Sequence, residues 1–205
     1  VDNLVNTMRR LKGQAGWLRA LRRAPYLQFF KSTARGKENT WRANPWRIYP
    51  PLLRAVLDTL EACDRRGHHY YVTNGFRSYE TQAERYHAYK SGTGYRAAPP
   101  GRSAHQWGAA LDFVPDRDLD TPGIQADWEA RAYDVLVEES ERRGLKAGRD
   151  FGDNPHIQIP TYVSGRSMAP LREIWRAAKA EGLDEFASLQ RVWDRLYSDK
   201  ILKEF

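Results

Sequence analysis

Five histidines are all the imidazole this chain has, and two of them stand among other groups able to do chemistry. GRSAHQWGAALDF, residues 101–113, carries His105 and Asp112; FGDNPHIQIP, residues 151–160, carries Asp153 and His156. Zinc accepts imidazole nitrogen and carboxylate oxygen, and a catalytic zinc site usually has three protein ligands and one open position. His105, Asp112 and His156 supply two imidazoles and one carboxylate, a set for one zinc ion per chain. Asp153, three residues before His156, is the candidate base: a carboxylate that takes a proton from water and later passes it to a leaving amine, as amide hydrolysis requires. The same residues also have plainer readings. His156 can be a strand-edge histidine bonded to backbone, His105 a loop cap, and Asp112 an acceptor for backbone N–H groups, while Asp-Asn-Pro is an ordinary turn sequence. A carboxylate inside the apolar run Ala109 to Val114 still needs a partner, because an unpaired buried charge is costly.

The elements that must position these groups can be read from pattern. AALDFV is a short strand with Ala110, Asp112 and Val114 on one face and Ala109, Leu111 and Phe113 on the other. The seven-residue separation of His105 and Asp112 would put a helical pair two turns apart, too far to share a metal, so a loop must turn His105 back toward the strand; Gly108 leaves room for that approach. HIQIP predicts a neighbouring strand ended by Pro160, and it delivers His156. From Pro51, LLRAVLDTLEACDRR has helical spacing and stops at Gly67. HHYYVTN is a strand rich in aromatic and β-branched residues, and Ser78 caps a helix running to about Lys90. SGTGYRAAPPGRS is a loop. Residues 125–143 are a helix candidate stopped by Gly144, and two helices, APLREIWRAAKAEG and DEFASLQRVWDRLYSDKIL, close the chain. The fold class expected is α+β: a small antiparallel sheet with packed helices, a zinc site at the sheet and adjoining loops, and extra C-terminal helices.

Composition narrows the classes. The 205 residues, 41% hydrophobic, suffice for one domain with a sizeable core. No run approaches the roughly 18 apolar residues of a transmembrane helix. Cys63 is the single cysteine, which excludes an intrachain disulfide and a Cys-rich zinc module; in an amphipathic helix it is a small core residue. The net charge of +7 is uneven, with twelve lysines and arginines against Asp2 and Glu38 in residues 1–54. Such a segment suits nucleic acid, an anionic membrane or an anionic wall polymer, but no nucleic-acid-binding motif accompanies it, so no specific nucleic-acid partner is expected. His68, His69 and His87 lack ligand spacing. Trp128, Trp175 and Trp193 fit helical packing positions, and Trp107 either lines the cleft or closes the core beneath it.

Three blocks together, GFRSYETQ (75–82), PGRSAHQWGAALDF (100–113) and DNPHIQI (153–159), resemble the zinc peptidases of the D-alanyl-D-alanine carboxypeptidase and L-alanyl-D-glutamate endopeptidase group, the VanY and endolysin-like enzymes that act on peptidoglycan stem peptides. The resemblance spans roughly residues 50–160. It implies a zinc-dependent peptidase with His105, Asp112 and His156 as ligands and Asp153 as catalytic acid or base. It makes Arg77 the arginine that faces the substrate and steadies a carbonyl oxygen or carboxylate, and Gln82 and Ser103 residues that hydrogen-bond the stem peptide. The chain then divides into a basic N-terminal segment (1–50) packing on the core, a zinc peptidase core (51–162) and a C-terminal helical extension (163–205). The expected place of action is the bacterial cell wall, reached by export or phage delivery. The expected partners are stem peptides, with the N-terminal segment contacting an anionic wall polymer; a monomer is the expected state.

Pro155-His156-Ile157 departs from the Trp-His-Trp of many carboxypeptidase-like members and is closer to the lysin-like branch that cuts between L-alanine and D-glutamate. The Glu-Trp-Gly segment common in that branch is replaced by GLKAGRDFGD. A D,D-carboxypeptidase or D,D-endopeptidase is therefore the second reading. A non-catalytic wall-binding or virion protein and a zinc nuclease are more distant ones.

Overall fold

The computed structural model describes residues 45–118, 120–121, 124–162 and 167–202, and the backbone of a two-stranded antiparallel pair, β1 (Thr33–Ala34) and β2 (Lys37–Glu38). The wall-polymer contact expected of the basic N-terminal segment lies outside the described residues. Among the described residues no helix is long and apolar enough to cross a membrane.

Helix α1 (Pro50–Arg65) begins with its two prolines in the first turn, where their missing N–H groups cost nothing. It buries Leu52, Leu53, Val56, Leu57, Leu60 and Cys63 along one stripe. Strand β3 (His69–Asn74) follows, then α2 (Tyr79–Lys90), whose Ser78 cap accepts a hydrogen bond from the Thr81 N–H at 3.2 Å. Strands β4 (Ala110–Asp116), β5 (Lys146–Ala147) and β6 (His156–Gln158) complete an antiparallel sheet of order β3-β4-β6-β5. The helices flank this small sheet as the α+β reading requires.

Residues 125–143 do not form one helix. Ala126 bridges Asp116 in extended backbone, and the Asp116 carboxylate accepts the Gln125 N–H at 3.0 Å. Only after a 3-10 turn at Ala130–Tyr133 does α3 (Asp134–Glu141) begin. Trp128, expected as a packing residue, is thus 64% exposed. Strand β5 was not foreseen: two residues carry no periodicity, and it exists because β6 offers it a ladder.

The C-terminal helices α4 (Ala169–Ala180) and α5 (Glu185–Ser198) share the core with the sheet. Leu171, Leu189, Val192, Trp193 and Leu196 join the same buried cluster as Leu111, Phe113 and Ile157. The Trp193 indole N–H donates to the Trp107 carbonyl at 2.9 Å, Trp175 stacks on Tyr79 at 5.4 Å, and Arg47 pairs with Glu185 at 2.7 Å. Trp107 is 1% exposed and closes the core. Through it, α5 braces the turn that holds His105.

Candidate metal centre

Strand register performs the first half of the assembly. Asp112 and His156 are direct partners across β4 and β6, and Asp112 also faces Asn74 of β3. A one-residue slip would send Asp112 to the opposite face of the sheet. His105 arrives from a 3-10 turn, Ala104–Trp107, ended by Gly108 at φ +61°. A side chain at residue 108 would be strained there, and its Cβ would stand 2.2 Å from the Arg47 carbonyl. The GFRS segment clips the same turn in place: the His105 ring donates from Nδ1 to the Gly75 carbonyl at 2.8 Å, and the Arg77 N–H donates to the His105 carbonyl at 3.1 Å. His156 is placed by a turn in which its own N–H donates to the Asp153 carbonyl at 3.1 Å. Gly148 lies under that turn so closely that a Cβ would sit 2.3 Å from the Asp153 carbonyl and 2.7 Å from His156 Cβ.

The side-chain atoms of His105, Asp112 and His156 converge within 4.8 Å of one another. His105 Nε2 is 3.1 Å and His156 Nδ1 3.0 Å from the same Asp112 oxygen, Oδ1. Because the Gly75 carbonyl fixes the His105 proton on Nδ1, the neutral ring turns a lone pair toward that carboxylate oxygen. Two ring nitrogens and a carboxylate facing one point fit a bound cation, and the donor set suits zinc. Both imidazoles are buried, with the Asp112 side chain 17% exposed.

The electrostatics follow from this packing. Burial, then the charge of Arg77, push His105 down to about 4, against the pull of Asp112. Burial opposes the charge of Asp112, but its closeness to the two imidazoles, His105 first, outweighs this and holds the carboxyl well below the usual range. Burial likewise favours neutral His156, yet its hydrogen bond to Asp112 and that residue's charge raise it overall. Metal binding through His156 Nδ1 therefore competes with one proton, while His105 is already free of its own. Below the raised value of His156 the folded apoprotein holds that proton, so zinc affinity should fall about tenfold per pH unit on acidification and level off above it. Chelator-competition titrations between pH 5 and 9 check this; a two-proton slope near neutrality would contradict it.

Asp153 and Arg77 border the triad. The Asp153 side chain reaches solvent, but partial burial and then the charge of Asp112 raise its carboxyl, against the pull of His156, Arg77 and Arg96. Arg77 Nη2 lies 3.6 Å from Asp112 Oδ2, and Nη1 donates to Gln82 Oε1 at 2.9 Å. Gln82 is fully buried, and its amide nitrogen donates to the Ala98 carbonyl at 2.6 Å. It thereby ties Arg77 to the 91–103 loop. Ser103 is buried beside the His105 turn, where its carbonyl accepts the Gln106 N–H. Two neighbours of His156 were not singled out from sequence: Phe151, whose ring is 5.6 Å away edge-on, and Gln158, whose Oε1 is 2.8 Å from Nε2. The second was signalled by strand alternation, which puts residues 156 and 158 on one face.

A small antiparallel sheet holds two imidazoles and a carboxylate around one point, with a carboxylate and an arginine beside it, an arrangement that fits the three-ligand site of a single-metal hydrolase. Residues 30–148 match the VanY family model, described as D-alanyl-D-alanine carboxypeptidase. The chain belongs to that family, within the wider group of zinc peptidoglycan peptidases. The matched span includes His105 and Asp112 and ends before Asp153 and His156; the register pairs His156 with Asp112. Similar solved structures include the Serratia marcescens L-Ala D-Glu endopeptidase ChiX, 25% identical over 56% of this chain and 82% of its own, with a TM-score of 0.41. The vancomycin resistance D,D-pentapeptidase VanY in complex with Zn(II) is 23% identical over 66% and 79%, TM-score 0.38. The LD-carboxypeptidase LdcB is 17% identical over 78% and 75%, TM-score 0.43. No curated protein sequence matches the chain.

Proposed function

We propose that this protein hydrolyses an amide bond of peptidoglycan stem peptides, with one zinc ion held by His105, Asp112 and His156. The observation that carries the reading is the convergence of both ring nitrogens on one Asp112 oxygen, with Asp153 and Arg77 at its edge. Bound zinc would supply Lewis acidity and make water a better nucleophile at neutral pH. Asp153, its carboxylate raised toward the range useful to a general base, takes the proton of the attacking water and delivers it to the departing amine. Arg77, oriented by Gln82 Oε1, faces the site with a planar fork suited to the oxyanion or to a substrate carboxylate. Ser103 and Gln82 complete the substrate-binding assignment, Gln82 through Arg77 and the 91–103 loop. Action at the cell wall follows from the substrate.

The bond we assign is L-alanyl-D-glutamate, because Pro155 and Ile157 flank the third ligand in place of two tryptophans. D,D-cleavage is the second reading, favoured by the family match over residues 30–148. Mass spectrometry of a muramoyl pentapeptide incubated with zinc-loaded protein separates the two. The expected result is muramoyl-L-alanine and a free tetrapeptide. Loss of a single D-alanine would transfer the assignment to the carboxypeptidase reading, and an intact peptide would overturn both of these and leave only cleavage of a D,D cross-link.

A further inference from the structure

We propose that Gln158 is a positioning residue of the metal centre: its carbonyl oxygen holds the His156 proton on Nε2 and so keeps Nδ1 available as a ligand. This rests on the metal-centre reading and not on the choice of substrate.

The geometry around His156 is unusual for a histidine that merely fills a core. A neutral imidazole has one N–H and one lone pair, so it is satisfied by one acceptor and one donor. Here both ends meet acceptors. Asp112 Oδ1 lies 3.0 Å from Nδ1, and Gln158 Oε1 lies 2.8 Å from Nε2. With the carboxamide oxygen turned to the ring, only two occupancies avoid lone pair against lone pair: an imidazolium with both nitrogens protonated, or a neutral ring that donates from Nε2 and meets a metal at Nδ1. Without Gln158, the ring could place its single proton on Nδ1 and donate it to Asp112, closing the ligand position. With the carboxamide turned as it is, that tautomer leaves Nε2 facing an oxygen. The ring of His105 is set in the same sense from outside, by the Gly75 carbonyl. One ligand is thus oriented by backbone and the other by a side chain, a pattern in which outer partners fix tautomer and direction.

Burial strengthens the assignment. Gln158 is 3% exposed, and its backbone is paired on both sides, with Ala110 of β4 and Lys146 of β5. Its amide nitrogen has no hydrogen-bond partner among the described residues. A buried donor left unmet is unfavourable, and glutamine at a position needing only an acceptor carries that donor as the unused half of its amide.

The test compares Gln158→Met and Gln158→Glu, by zinc affinity in chelator competition and by apoprotein melting temperature. Gln158→Met keeps the volume and removes the acceptor; zinc affinity should fall about 10- to 100-fold with no loss of apoprotein melting temperature. Gln158→Glu keeps an acceptor oxygen and removes the unmet N–H; its zinc affinity should equal or exceed that of the native protein. A merely structural glutamine would give the opposite pattern, with both variants melting lower and both binding zinc alike. Native-like zinc affinity in Gln158→Met would overturn the proposal. So would weakened binding in Gln158→Glu, a result that decides the matter even if the methionine variant does not fold. Failure of the native protein to bind zinc would instead overturn the metal-centre reading beneath it.

Discussion

Asp153→Asn should lower kcat by about 100- to 10,000-fold, the usual contribution of a general acid and base, while zinc affinity stays within a few-fold of native. Asparagine keeps the size of the side chain and leaves intact the backbone bonds that shape the turn, from the Asp153 N–H to Gly148 and from the His156 N–H to the Asp153 carbonyl. His156 should therefore remain in place, and only the ability to accept and return a proton is lost. Burial and the charge of Asp112 raise the Asp153 carboxyl, the direction that suits a proton-transfer group. Steady-state rates on a defined muropeptide, beside a zinc titration of the same preparation, check the two halves. Native turnover in Asp153→Asn would remove this residue from the mechanism.

Asp112→Asn should weaken zinc binding by at least about 100-fold, more than the loss of an outer partner, and abolish hydrolysis. Asp112 Oδ1 is the common neighbour of both imidazoles and Oδ2 faces Arg77, so its charge organises every other group in the centre. Asparagine removes that charge with little change of shape. Burial then acts on His156 against only the hydrogen bond to Gln158 and the charge of Asp153, lowering it, and the one-proton dependence of any residual zinc binding should shift to lower pH. Because buried charges stripped of a partner are costly, Arg77 should make the apoprotein less stable, which thermal unfolding would register. Zinc affinity unchanged from native would show that the convergence on Asp112 is an internal hydrogen-bonded cluster and no metal site.

Much of this arrangement was legible in the chain because the relevant signals are local. Alternation placed Asp112 on one face of β4, helix spacing and Ser78 bounded α1 and α2, and HIQIP declared a strand. Periodicity did not reveal that Asp112 and His156 are direct register partners; that follows from pairing between segments 44 residues apart. The helix expected over residues 125–143 failed at its first half because Asp116 and the backbone of β4 claim residues 125 and 126 for an extended bridge, a tertiary choice that overrides local propensity. Gln82 illustrates a subtler difference. Its side chain is wholly buried and engaged by Arg77 and Ala98, so any part it takes in binding the stem peptide runs through the arginine and the loop it fastens. The C-terminal helices, set apart from the core in sequence, share its interior, and Trp193 connects them to the turn bearing His105.

The most direct measurement of the central claim is mass spectrometry of muropeptides from purified sacculi, incubated with zinc-loaded protein, with chelated protein, and with chelated protein restored by zinc. Zinc-dependent peptidoglycan hydrolysis predicts new free amines and the matching mass losses in the first and third samples and none in the second. Unchanged muropeptides in all three, with zinc demonstrably bound, or equal cleavage by the chelated protein, would contradict it.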